Sequence, residues 1–378
     1  MIKQDRSNTK ARVLAYYLPQ FHPVPENDQW WGKGFTEWTN VGKAKPLFPG
    51  HYQPHLPADL GYYDLRVPET REAQAELARQ YGIEGFVYWH YWFAGKRLLE
   101  RPFNEVLASG KPDFPFALAW ANETWAGFAH GVGGERPPLI EQTYPGDDDF
   151  IAHFNALLPA FRDKRYIMCD GKPIFIIYHA AQLPDVSHFI NLWQNLAKAN
   201  GLKGIYFISH EIGLIRSEEV HEAYIKRIEE GFDAINIVNF KPTNWQKFPL
   251  WLRMLREAFF NHPRLWRLLP DIRPYDISIF RTELDEKENV FPSVSPGWDH
   301  TPRSGMNGVV EYGSTPEKFG EAIKYAIDVV QSKPIEKQFV FIKSWNEWAE
   351  GNYVEPDMRW GHAYLEQIRK YSLLQCEK

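Results

Sequence analysis

Cysteine is nearly missing from this chain: Cys169 and Cys376 are the two in 378 residues. So few, and so far apart, give no disulfide framework and no thiolate metal site. Long apolar runs are missing as well. No stretch approaches the length of a membrane span, and the N-terminal "MIKQDRSNTKARV" lacks the apolar core of a signal peptide. The expectation is a soluble, cytoplasmic protein without an integral membrane segment. Neither sign of charge dominates. A net charge of −5 removes the general electrostatic reason to expect a nucleic-acid partner. No G-x-G-x-x-G follows the first strand-like segment, which argues against an open dinucleotide-binding sheet. "HGVGGER" (130–136) is glycine-rich but lacks the Lys-Ser/Thr and the strand-to-helix setting of a phosphate loop, and reads as a flexible loop or lid. His51 and His55 stand four apart, but Pro54 breaks the helix that would align them, so neither a metal nor a cofactor is expected.

Aromatic residues are abundant instead: 15 Trp, 19 Tyr and 25 Phe. With 44% hydrophobic residues the chain can bury a large core, which accounts for many of these rings. Others lie beside Gly, Asn, Glu and His in loop-like sequence, where rings form platforms for flat ligand faces such as sugars.

Eight short β-branched and aromatic runs alternate with helix-length segments. They are "RVLAYYLP" (12–19), "GFVYWHY" (85–91), "FALAWAN" (116–122), "KPIFIIYH" (172–179), "GIYFISH" (204–210), "FDAINIVN" (232–239), "FPSVSPGW" (291–298) and "FVFIKSW" (339–345). Segments 67–82, 187–201 and 315–331 begin and end as helices do, and "DDDFIAHFNALLPAFRD" opens with acidic residues. "WLRMLREAFFNHPRLWRLLP" (251–270) reads as a barrel helix with an extension rather than a membrane-surface helix. The pattern predicts an α/β fold, a single (β/α)₈ TIM barrel over 1–378 with elaborated loops at the C-terminal face.

In such barrels the chemistry sits at the C-terminal ends of the strands. Those ends carry Tyr16, Gln20 and His22 after the first strand, then Trp38 in the long loop "QWWGKGFTEWTNV". They carry His90 and Trp92 in "YWHYW", Trp120, Asn122, Glu123 and Trp125 in "WANETW", Tyr178 after strand four and His210 at strand five. Trp298, Asp299 and Arg303 follow strand seven, and "SWNEWAEG" follows strand eight with Trp345, Asn346, Glu347, Trp348 and Glu350. Ser344 with Glu347 fits an S-x-x-E capping box, a purely structural reading. Against a helix, Gly351 and Pro356 come soon after. A carboxylate pair at the end of strand eight has access to the mouth and is read as catalytic. Glu123 is either an acid/base partner or a brace for its loop. His90 is either a ligand contact or a hydrogen-bonded barrel residue.

Several of these motifs are long: "AYYLPQFHPVPENDQWWGKGFTEWTNV", "GFVYWHYWF", "FALAWANETW", "GKPIFIIY" and "FIKSWNEWAEGNYVEPD". Through them the chain resembles the WbsX-type family of polysaccharide gene products, itself related to glycoside hydrolase family 99. The family 99 relationship implies a retaining, endo-acting hydrolase of α-mannosidic bonds on a (β/α)₈ barrel, whereas WbsX-type proteins are described as glycosyltransferases. It also implies a variant mechanism in which the sugar's own 2-hydroxyl attacks. Glu347 is then the base on that hydroxyl, and Glu350 the acid and later the base for water. Ala349 stands where family 99 commonly has His. Asn346, Tyr178 and His210 are candidates for hydroxyl contacts, Trp38, Trp92, Trp120 and Trp125 for stacking, and Arg303 for a hydroxyl or a carboxylate.

Three functions are therefore weighed. The first is a retaining hydrolase of α-linked, mannose-like oligo- or polysaccharides. The second is a glycosyltransferase of surface-polysaccharide biosynthesis, against which no D-x-D lies at a strand end. The third is a glycan-binding protein without catalysis.

Overall fold

The computed structural model describes residues 8–126, 138–212, 217–238 and 270–374, together with Met254. The glycine-rich 130–136 and nearly all of 251–270 lie outside the described residues, as does Cys376. Eight parallel strands close into one barrel. They are β1 (Arg12–Tyr17), β2 (Gly85–Phe93), β3 (Phe116–Trp120), β4 (Lys172–Ile177), β5 (Tyr206–Ile212), β6 (Ala234–Val238), β7 (Val290–Val294) and β8 (Phe339–Ile342). Each pairs with the next in sequence, and β8 returns to β1 in the register Arg12↔Phe339 to Ala15↔Ile342. Strands buried on both faces read as unbroken apolar runs. That is why "RVLAYY" and "GFVYWHYWF" are buried at every position.

Helices α1 (Pro25–Trp31), α2 (Glu37–Lys43) and α3 (Pro68–Gln80) fill the β1–β2 connection, and α4 (Arg101–Ser109) follows β2. Then come α5 (Asp147–Phe161), α6 (Val186–Ala199), α7 (Ser217–Glu229), α8 (Pro316–Val330) and α9 (Ala363–Ser372). Local chemistry starts them where the sequence expects. The Asp185 carboxylate accepts from His188 N at 2.9 Å at the start of α6. Thr315 caps α8, with Pro316 in the first turn. From α8, Phe319, Ile323, Ile327 and Val330 are buried against the barrel. Full burial of such side chains is worth roughly 1.5–3 kcal/mol each. Among the described residues no helix is long and apolar enough to cross a membrane.

At the N-terminal end of the barrel, buried Arg12 donates twice to Glu84 and once to the Met168 carbonyl, at 2.7–3.0 Å. Nearer the mouth the interior becomes polar. Tyr16 stacks on Trp89 with centroids 4.7 Å apart and donates to Asn236 Oδ1 at 2.9 Å, beside His210. This layer is the floor of the site.

Candidate active site

The chain after β8 does not form a helix. Asn346–Glu347 pairs antiparallel with Asn352–Tyr353 across a 3₁₀ turn, Trp348–Glu350, closed by Gly351 at φ +58°. The expected capping box does not form, and the Ser344 hydroxyl is buried without a partner. This hairpin is held from behind. Asn346 accepts from Leu18 N at 2.7 Å and donates to Leu18 O at 3.0 Å, tying it to the end of β1. Glu355 accepts from Trp348 Nε1, Gln74 Nε2 and Tyr63 OH at 2.6–2.9 Å. The backbone that carries the two glutamates is thereby fixed.

Both carboxyl groups face a cavity of about 270 Å³ at the barrel mouth. Glu347 accepts from Trp89 Nε1 at 2.9 Å and has Glu350 as its neighbour in the cavity lining. Arg303 donates to Glu350 through Nη1 and to Glu37 through Nε, the latter at 3.1 Å. Lys343 places its ammonium 5.7 Å from the ring centre of Trp89 and 5.6 Å from that of Tyr178. Glu37, Glu347 and Glu350 are therefore buried beside two basic side chains, Arg303 and Lys343. Burial first, then the neighbouring Glu350, pushes Glu347 up to about 8. Near neutrality Glu347 is thereby held in its protonated form, beside the ion pair that Arg303 makes with Glu350. The resemblance assigns the proton of the reacting complex to Glu350; the raised Glu347 follows first from its burial.

Of the residues singled out from the sequence, Gln20, Glu123, Trp125, Tyr178, Trp298 and Arg303 line this cavity with the two glutamates. Tyr16 and His210 lie in the floor beneath it. The others are placed differently. His90, Trp92 and Trp120 face outward from the barrel, toward α5. His90 Nε2 is 2.8 Å from His153 Nε2, Trp92 stacks on the same ring and donates to Asp149, and Trp120 meets it edge-on. Side chains alternate along a strand, so it is Trp89 and Tyr91 that reach the cavity. Asn122 is fully buried, latched to Tyr144 OH and to the His179 backbone. His22, Trp345, Asn346 and Trp348 are buried outside the cavity lining. Trp38 donates to Tyr63 O and packs on Trp348. Asp299 accepts from His51, Gln53 and Thr301, which makes it a brace in the wall beside the site. Lys343, like Trp89 and Tyr91, is a residue sequence reasoning passes over. It is 4% exposed and stands one residue past β8, a position that marks it as a mouth residue in any such barrel.

A buried carboxyl pair, set in an aromatic cleft on a (β/α)₈ barrel, is the equipment of a carbohydrate-active enzyme. The chain belongs to the family described as glycosyltransferase WbsX, whose family model matches residues 13–368. It is 37% identical over 373 residues to "Uncharacterized protein WxcX" of Xanthomonas campestris pv. campestris, in strain ATCC 33913 and in strain B100. Those matches cover 95% of this chain and 49% of the relatives, so the chain spans about half their length. Among solved structures it is similar to a glycoside hydrolase-like protein, with TM-score 0.59, 16% identity and coverage of 97% and 94% of the two chains. It is also similar to the GH99 endo-alpha-mannosidase from Bacteroides thetaiotaomicron, with TM-score 0.55, 16% identity and coverage of 95% and 96%. At that identity the likeness concerns the fold.

Proposed function

We propose that the chain is a retaining glycoside hydrolase acting on α-linked, mannose-like glycans. The observation that carries this reading is the Glu347–Glu350 pair: two buried carboxyl groups facing one aromatic cleft, with Glu347 raised by burial and by its neighbour. Retaining enzymes that use a carboxylate nucleophile keep their two carboxyl groups about 5–5.5 Å apart. Two neighbouring carboxyl groups also suit a reaction in which the sugar supplies its own nucleophile, one as base on its hydroxyl and the other as acid. On entry of the sugar the proton of Glu347 passes to Glu350. Glu347 then removes the proton of the 2-hydroxyl, O2 attacks C1, and the C1–oxygen bond to the leaving group breaks as Glu350 protonates that oxygen. In the second half Glu350 takes a proton from water, the hydroxide adds to C1 as the C1–O2 bond breaks, and O2 recovers its proton from Glu347. Two inversions give net retention. The 2-hydroxyl must lie trans to the leaving group, as it does in an α-mannoside. Lys343 and Arg303 stabilise the carboxylates as the proton moves.

The test is a screen of α-linked polysaccharides and aryl glycosides, with NMR of the first anomer released. Retention, together with loss of cleavage when the 2-hydroxyl is replaced by hydrogen, is the expected result. Release of the inverted anomer, or normal cleavage of the 2-deoxy substrate, would overturn the mechanism. A second reading, transfer from a nucleotide sugar at the same site, draws on the description of the family. Saturable binding of a nucleotide sugar, competed by substitutions at Glu347, would favour it. The aspartate run 147–149 opens α5, where Asp147 pairs with His188 and Asp149 accepts from Trp92.

A further inference from the structure

Beside the catalytic cleft lies a second cavity of about 230 Å³, and the two share Trp298 in their linings. The wall between them is thin. Asp299 N donates to the Glu350 backbone carbonyl at 2.6 Å, and a Cβ on Gly351 would lie 2.8 Å from that of Asp299. The cavity is walled by Tyr52, Tyr312, Tyr353, Trp360 and Tyr364. Glu311, on the short strand Val309–Tyr312 that pairs with Asp271–Pro274, also faces it. The Glu311 Oε2 is buried and has no hydrogen-bond partner. Arg273, whose charge acts on Glu311, is committed to Asp271 through two bonds of 2.7 and 3.0 Å. An unpaired buried carboxyl oxygen costs about 1–3 kcal/mol, which a ligand bringing a hydroxyl donor recovers. Arg359 lies over the rings of Tyr52 and Trp360, at 4.5 and 4.9 Å, and adds donors at the rim.

Aromatic faces, one carboxyl group seeking donors and a guanidinium fit a pyranose ring: stacking on its C–H faces, hydrogen bonds to its hydroxyls. Acidic groups at Glu311, Asp357 and Asp299 disfavour a phosphorylated ligand. Burial pushes Glu311 up to about 7, so near neutrality it can donate as well as accept, as adjacent hydroxyls require. The volume is smaller than the ~300–1,000 Å³ of drug-sized sites and suits about one sugar ring. We propose that this cavity is a second saccharide site, separate from the cleft and holding one uncharged pyranose. The proposal rests on the carbohydrate reading of the cleft.

The experiment is ligand-observed NMR on the full chain with methyl pyranosides of the common neutral hexoses. Glu311→Gln keeps the shape of the site and Tyr312→Ala removes an exposed rim ring; each should weaken the preferred pyranoside about tenfold, one lost hydrogen bond or stacking contact. Thermal melts accompany both, and if Glu311→Gln fails to fold, Tyr312→Ala decides. Full-strength binding in the folded variants, or no binding of any pyranoside at about 10 mM, overturns the second site. The readout is independent of turnover. A chain that binds through Glu311 and Tyr312 yet cleaves nothing sinks the hydrolase reading and leaves this site standing.

Discussion

The hairpin after β8 carries a buried carboxyl group on each side, and the two are treated differently. On the cleft side Glu347 has one donor, Trp89, and a second carboxyl group beside it. On the far side Glu355 has Trp348, Gln74 and Tyr63 around it and lines neither of the two cavities described above. Burial raises both, Glu347 to about 8 and Glu355 to about 7. A raised carboxyl group is therefore not by itself a sign of catalysis. What separates them is access and the number of committed donors: one proton is free to move, the other group is a structural hub.

The largest effect expected from breaking this contrast is on turnover. Glu347→Gln and Glu350→Gln should each lower the rate of glycoside cleavage about 10²–10⁴-fold, the usual worth of a positioned acid or base, with the melting temperature retained. Glu355→Ala should act on stability instead. It strands three buried donors, and a loss of about 3 kcal/mol in denaturant unfolding is expected. Glu347→Gln should cost under about 1 kcal/mol or stabilise, because catalytic sites carry unfavourable electrostatics.

The pH dependence sharpens the comparison. The unfolded chain releases these protons near 4.5, whereas the folded chain holds them to about 8 at Glu347 and about 7 at Glu355. Between those limits the folded state binds more protons, so stability falls as pH rises, by at most about 1.4 kcal/mol per pH unit for each group. This stabilisation is complete below 4.5 and gone once pH passes the folded values. Unfolding midpoints measured from pH 5 to 9 should show that decline, with a shallower slope between 7 and 8 in Glu347→Gln. A slope unchanged by that substitution would place the proton elsewhere.

Smaller effects test the two faces of β2. Trp89→Phe removes the donor to Glu347 and should reduce cleavage about tenfold. His90→Gln, on the outer face, should leave cleavage within about twofold, since a surface turned from the cavity contributes through packing alone. Comparable losses in both would mean that the inner and outer faces are not separable.

The eight strands are legible because their apolar runs are interrupted by segments of helical period, and barrel strands need nothing more specific. The position of Glu347 and Glu350 is legible for the same reason: they follow the eighth run. The face of β2 is not. "YWHYW" has a ring at every position, so no polar alternation distinguishes inner Trp89 from outer His90. The brace at Asp299 depends on His51 and Gln53, some 250 positions away in sequence. The orphaned oxygen of Glu311 depends on where Arg273 spends its donors. Such facts are relations between distant segments, and no local pattern encodes them.

The bond from Trp89 to Glu347 has one more consequence. An indole N–H held to a titrating carboxyl group is a spectroscopic reporter built into the enzyme. The ¹⁵N–¹H resonance of that one indole should move as Glu347 changes charge, identified by its disappearance in Trp89→Phe. It offers a view of the proton itself that needs no turnover.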